Sequence, residues 1–76
     1  MSRPKDIEIT LLKECAFDPD YFGGLARRLE IKEAECRKLL HKFERAGLLE
    51  VNHEGMWKIT VKGLKALEDW QKLKKK

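Results

Sequence analysis

The chain has 76 residues, of which 42% are hydrophobic and 39% charged, and a formal net charge of +4. That is enough for one small domain with one modest core, and it leaves no room for a catalytic domain beside a binding one. It is too apolar for a disordered tail and too charged for a membrane span: no run approaches the roughly 18 apolar residues of a transmembrane helix, and the N-terminal MSRPKDIE has no signal-peptide core, so a cytoplasmic location and no membrane partner are expected.

The distribution of charge says more than its sum. Residues 1 to 30 carry five cations and six anions, residues 31 to 46 five and three, residues 47 to 60 one and two, and residues 61 to 76 six and two. The excess falls on the middle of the chain and on the end, with its Lys74, Lys75, Lys76 tail. A basic helix face plus a basic tail is the footprint of a nucleic-acid binder, since each phosphate contact releases counterions. A charge-rich solvated surface of ion pairs is the alternative reading of the same composition.

In chain order, Pro4 stands near the start of a first helix spanning about residues 6 to 17, where a fixed φ does no harm. Ile7, Leu11, Leu12 and Cys15 are expected to line its inward side, with Glu8 at the solvent edge. Asp18, Pro19 and Asp20 are a stop and turn signal. Tyr21 and Phe22 enter the core ahead of a short second helix. Gly23 and Gly24 cost about 1 kcal/mol each in a helix interior and are expected in the loop or first turn. Arg27 and Arg28 are expected as solvated charges or as clamps on a nucleic-acid backbone, with only one of the two facing it.

After a tight corner, a third helix covers about residues 32 to 46. Cys36, Leu39, Leu40 and Phe43 follow the i, i+3, i+4, i+7 spacing of a buried face. The opposite side is centred on Ala34, Lys38, His41 and Arg45 and flanked by Arg37 and Lys42, a surface suited to an anion. Gly47 closes the helix in the left-handed conformation. The period then changes to two: residues 49 to 52 and 56 to 60 alternate as half-buried strands around a turn at His53, Glu54 and Gly55, forming a hairpin. Thr60 is a natural N-cap for a last helix over about residues 61 to 74. Its large apolar residues, Val61, Leu64, Leu67, Trp70 and Leu73, recur every three positions, so the stripe winds around the helix. Val61, Leu64 and Leu67 are expected on the domain and Trp70 and Leu73 at a second subunit, because exposed apolar patches mark interfaces. The alternative is that the first helix lies alongside and buries Trp70.

The spacing of Leu25, Ala26, Leu29, Ile31, Cys36, Leu40, Phe43, Gly47 and Leu48, followed by the hairpin and last helix, resembles the winged helix-turn-helix transcription regulator family, in particular small archaeal, viral or phage-repressor-like DNA-binding proteins. The likeness covers nearly the whole chain. Two positions depart from the family pattern: Glu30 sits where the turn usually has glycine, and Lys32 where the second helix of the motif usually has a Ser or Thr cap.

The resemblance implies an α+β, mostly helical winged helix-turn-helix: a three-helix core, a two-stranded wing and a C-terminal helix in one domain over residues 1 to 76. It also implies a sequence-specific regulator of transcription, a repressor, that places the helix over residues 32 to 46 in the major groove of double-stranded DNA. Glu33, Ala34 and Lys38 would meet base edges, the lysine favouring guanine acceptors and the alanine a thymine methyl. Arg37, His41 and Lys42 would hold phosphates with help from Lys32, and the wing would add His53 and Lys58. Glu33 and Glu35 oppose indiscriminate attraction. A homodimer joined at Trp70 and Leu73 would read two half-sites roughly 10 bp apart. His41 can equally be an ordinary solvated histidine, and Trp57 is expected in hairpin packing rather than as a base-stacking platform.

Other chemistries lack their residues. No nucleophile and base pair, glycine-rich phosphate loop or paired carboxylates can be picked out, so no enzyme is expected. Cys15 and Cys36, with His41 and His53, lack paired zinc-ligand spacing, and no metal, cofactor or small-molecule ligand is expected. Both cysteines read as buried thiols, a thiol-based sensor being a minor alternative. The main alternative function is a winged-helix protein-interaction module that binds no DNA.

Overall fold

Four helices and one hairpin form in the expected order: α1 (Asp6–Phe17), α2 (Phe22–Leu29), α3 (Glu33–Arg45), β1 (Leu49–Val51), β2 (Trp57–Ile59) and α4 (Val61–Lys74). The structure is a computed structural model that describes residues 5–74, with side chains as far as residue 72. Pro4, the side chains of Leu73 and Lys74, and Lys75 and Lys76 lie outside the described residues. The architecture is the winged helix-turn-helix: α2 and α3 meet at a corner, α1 and α4 pack together behind them, and the antiparallel hairpin follows α3.

Leu11, Leu12, Cys15, Leu25, Cys36, Leu40 and Leu49 are fully buried and join α1, α2, α3 and β1, and Trp57 of β2 and Leu67 of α4 complete the cluster. The inward face of α1 corrects one expectation. Ile9 and Glu8 are buried while Ile7 is only partly so. Glu8, Leu11, Leu12 and Cys15 keep the i, i+3, i+4, i+7 spacing, so Glu8 occupies an apolar position of the stripe. Its carboxylate accepts the Lys5 N–H at 3.1 Å, which satisfies one of the orphan donors that begin the helix.

The corner between α2 and α3 takes three residues. Glu30 N–H donates to the Arg27 carbonyl at 3.2 Å and Ile31 N–H to the Ala26 carbonyl at 3.0 Å, the paired bonds of a Schellman ending. The end of α3 repeats this with Gly47 N–H to Glu44 O at 3.0 Å and Leu48 N–H to Phe43 O at 2.9 Å. Gly47 supplies the positive φ of 80° without steric cost, whereas Glu30 adopts 58° against it. Replacing Glu30 by glycine is therefore expected to raise stability by up to about 1 kcal/mol. A urea midpoint that falls on Glu30→Gly would show that this position is not strained.

The strands are shorter than expected, three residues each, in the register Leu49↔Ile59, Glu50↔Lys58 and Val51↔Trp57. Asn52 terminates pairing: its side-chain oxygen accepts the N–H groups of Glu54 at 2.9 Å and Met56 at 3.0 Å. Trp57 N–H also donates to the Asp20 carbonyl at 2.8 Å, so the turn after α1 adds an isolated antiparallel bridge to the hairpin. This anchors the turn end of the paired strands to the segment between α1 and α2.

Thr60 caps α4 as its position suggested. Its hydroxyl accepts Gly63 N–H at 3.0 Å and reaches the Gly47 carbonyl at 2.7 Å, tying the end of α3 to the start of α4. The apolar face of α4 is not the expected one. Val61 and Leu64 are exposed, while Gly63 and Leu67 are buried and Ala66 and Trp70 pack partly against the core. Gly63, Ala66, Leu67 and Trp70 are spaced i, i+3, i+4, i+7, an ordinary helical stripe. With α1 alongside α4, Trp70 packs inward rather than standing free.

Candidate nucleic-acid interface

The inward residues of α3 fix the direction of its outward face. Cys36, Leu40 and Phe43 are buried and Leu39 partly so, which leaves Ala34, Lys38, His41 and Arg45 exposed on the other side. Ala34, Arg37, Lys38, His41, Lys42 and Arg45 line one shallow trough along the helix, and Lys32 lies beside Ala34 and Lys38 near its start. Lys32 holds the N-cap position with extended backbone and makes no side-chain cap bond.

These groups divide by what already holds them. The Arg37 guanidinium lies over the Phe22 ring, 4.6 Å from its centroid, a cation–π contact that orients the arginine toward α2. His41 meets the edge of Trp57 with ring centroids 5.7 Å apart, and its Nδ1 lies 3.3 Å from the Glu44 carboxylate. Lys42 donates to the buried Glu8 carboxylate at 2.6 Å while its own side chain remains 61% exposed. Lys32, Lys38 and Arg45 have no side-chain hydrogen bond or ion pair among the described residues. The helix thus presents uncommitted cations between side chains that the fold has already placed.

The Glu8–Lys42 pair is the strongest electrostatic feature of this surface. Burial of Glu8 favours its neutral form, but the Lys42 hydrogen bond, the Lys5 N–H and the two positive charges outweigh this, and the net pKa is lowered. The pair therefore contributes stability that is present above the ordinary carboxylate value and is lost as pH falls through the lower folded-state value. Glu8→Gln keeps the shape and removes the charge. It is expected to lower stability by about 1–2 kcal/mol at neutral pH and by nothing once the carboxyl is protonated. Denaturation midpoints of the two proteins measured down to pH 2 should converge; a constant gap would assign the loss to packing.

On the wing, His53 is exposed near the tip. Lys58 faces Glu50 across the hairpin at 3.5 Å, both side chains more than half exposed, so the pair is worth little and leaves the lysine available. Arg28 is excluded from an outward role: it donates to Glu14 at 2.8 Å, to the Asp18 carbonyl at 2.9 Å and to Asp20 at 3.1 Å. It clasps α2 to the end of α1, whereas Arg27 is exposed and has no side-chain hydrogen bond or ion pair among the described residues.

Sequence reasoning did not find the Phe22–Arg37 stack or the Glu8–Lys42 pair, because both join residues far apart in the chain. Arg45 was legible on the helical wheel. Both thiols are buried and free; burial pushes Cys15 up to about 12 and raises Cys36 as well. Such thiols hold almost no thiolate, the reactive form, at neutral pH. Among the described residues no group of three or more His, Cys, Asp or Glu could hold a metal ion, and no helix is long and apolar enough to cross a membrane.

No family model matches the chain and no curated protein matches it. Solved structures do. ZitR of Lactococcus lactis superposes with a TM-score of 0.81 at 18% identity, over 95% of this chain and 53% of that one. The transcriptional regulator BldR of Sulfolobus solfataricus gives 0.78 at 21% identity, over 87% and 52%. The chain thus spans about half the length of the solved chains it matches, and what it shares with them, across nearly all of its own length, is the winged helix-turn-helix fold.

Proposed function

We propose that this chain binds double-stranded DNA as a sequence-selective regulator of transcription, laying the outward face of α3 in the major groove. The observation that carries the reading is the division of labour along that face. Arg37 and Lys42 are held at its flanks by Phe22 and Glu8, while Lys38 and Arg45 point outward uncommitted. Lys38, beside Ala34 and Glu33, reads base edges. Arg45, Lys32 and the exposed part of Lys42 neutralise phosphates, with Arg37 and His41 setting register. His53 and Lys58 bring the wing to the backbone. A homodimer would place two such helices on half-sites roughly 10 bp apart.

Titration with random-sequence duplex at two salt concentrations tests this directly. Neutralising three or four phosphates should give a slope of about −3 in log affinity against log salt, a loss of roughly 50- to 100-fold between 50 and 200 mM. Absence of salt-sensitive binding would leave the protein-interaction module as the better reading.

A further inference from the structure

Arg37 is the cation of α3 whose plane the fold sets while its donors stay free. Its guanidinium lies 4.6 Å over the centroid of the Phe22 ring, and Phe22 is itself a fixed platform. That residue begins α2, packs partly against the core, and accepts the Cys36 thiol at its carbonyl at 3.6 Å, so the ring is tied to the residue just before Arg37. A ring occupies one flat face of a guanidinium and leaves the N–H groups, which lie in the plane, directed out along its edge. Arg37 makes no hydrogen bond or ion pair among the described residues. Glu33, one turn earlier on α3, does not engage it: the Glu33 carboxylate lies toward α2, with Oε2 3.7 Å from where a Cβ on Gly23 would stand. The guanidinium lines the same trough as Ala34, Lys38 and His41.

We propose that Arg37 determines specificity by reading one guanine through its O6 and N7, and that Phe22 is the residue that positions it. The proposal rests on the DNA-binding reading and turns the register-setting role of Arg37 into a requirement for a particular base. Two acceptors on one base edge match the parallel N–H groups of a guanidinium fork. A lysine ammonium is a point charge with rotatable donors and makes no such match. An arginine free in solvent loses rotamer freedom when it docks, and the stack on Phe22 has already removed part of that loss. A phosphate on a flexible backbone can adjust to a mobile cation, whereas the edge of a stacked base cannot move to meet its donor. A fixed guanidinium plane therefore matters most at a base. The preferred duplex should hold a guanine for Arg37 in addition to the one that Lys38 favours.

The test uses duplexes selected from a random pool by the wild-type chain. At one guanine of the selected sites, adenine should weaken wild-type binding by roughly 5- to 150-fold, and 7-deazaguanine, which lacks the N7 acceptor, should weaken it by part of that factor. Arg37→Ala should bind guanine and adenine there about equally while it keeps the preference that Lys38 supplies elsewhere in the site. Arg37→Lys, which retains the charge without the fork, should lose the same preference. Phe22→Leu, which retains an apolar side chain without the ring, should reduce it about two- to fivefold and leave the salt slope on random duplex unchanged. If Arg37→Ala instead weakened selected and random duplexes by the same factor and lowered the salt slope by about one unit, Arg37 would be a phosphate contact and the proposal would be overturned. Wild-type preference at every position in Arg37→Lys would overturn it as well, and unchanged preference in Phe22→Leu would overturn the positioning role. These results leave the salt-sensitive binding of the wild type in place, so the DNA-binding reading survives them; a wild type that binds no duplex overturns both.

Discussion

Replacing Gly63 by alanine is expected to destabilise the fold by about 2 kcal/mol, although the same change in an ordinary helix interior would stabilise it by about 1 kcal/mol. The two effects have opposite sign, and geometry decides between them. A Cβ at position 63 would overlap the Leu48 carbonyl oxygen and come within 2.6 Å of Ile59 Cγ1. The Leu48 carbonyl cannot yield cheaply, because it accepts the Thr60 N–H at 3.0 Å and lies within 3.1 Å of the Thr60 hydroxyl. Moving it would pull at the cap of α4 and at β1 together. For a domain this small the loss corresponds to a fall of roughly 10 °C in thermal midpoint. An unchanged or higher midpoint for Gly63→Ala would mean that α4 does not sit against the hairpin as described.

The second large effect concerns the cations of α3, which are expected to separate by role. Lys38→Ala should relax preference at one base pair by roughly 1–3 kcal/mol and leave binding to random duplex little changed. Arg45→Ala should weaken all sequences alike and lower the salt slope by about one unit. Lys42→Ala should do the same to a smaller degree, since its charge is already shared with Glu8 at 2.6 Å. It should also cost about 1–2 kcal/mol of stability by leaving a buried carboxylate without its cation. The Lys5 N–H still satisfies that carboxylate in part, and this keeps the loss below that of a fully buried pair. Conversely, Glu8→Gln frees Lys42 and should tighten binding to random duplex while it weakens the fold. Competition titrations over specific and random duplexes at several salt concentrations measure all four; identical behaviour of Lys38→Ala and Arg45→Ala would remove the distinction between reading bases and holding phosphates.

Much of the architecture was legible because local signals agreed with the fold. Gly47, Thr60 and the Cys36, Leu40, Phe43 spacing each specify an element boundary or a face from residues within one or two turns. What was not legible depended on contacts between distant residues. Glu8 sits on the centre of the α1 stripe by spacing, yet a carboxylate there is acceptable only because Lys42, thirty-four positions later, supplies its partner. The face of α4 was misplaced for a different reason. Weighting the large apolar residues selected Val61 and Leu64, whereas the close approach of helix to hairpin required the small ones, Gly63 and Ala66. The bridge between Asp20 and Trp57 left no trace in composition or period. At the candidate site, the outward row of α3 could be read from the wheel, but which of its cations were already engaged could not.

Amide chemical-shift mapping of the labelled chain during titration with duplex DNA tests the central proposal most directly. The expected result is a set of perturbations concentrated at Ala34, Lys38, His41 and Arg45, with smaller ones at His53 and Lys58 on the hairpin. Perturbations that leave α3 unmoved and fall instead on Phe17, Leu64 and their neighbours, or a titration that moves nothing, would contradict it.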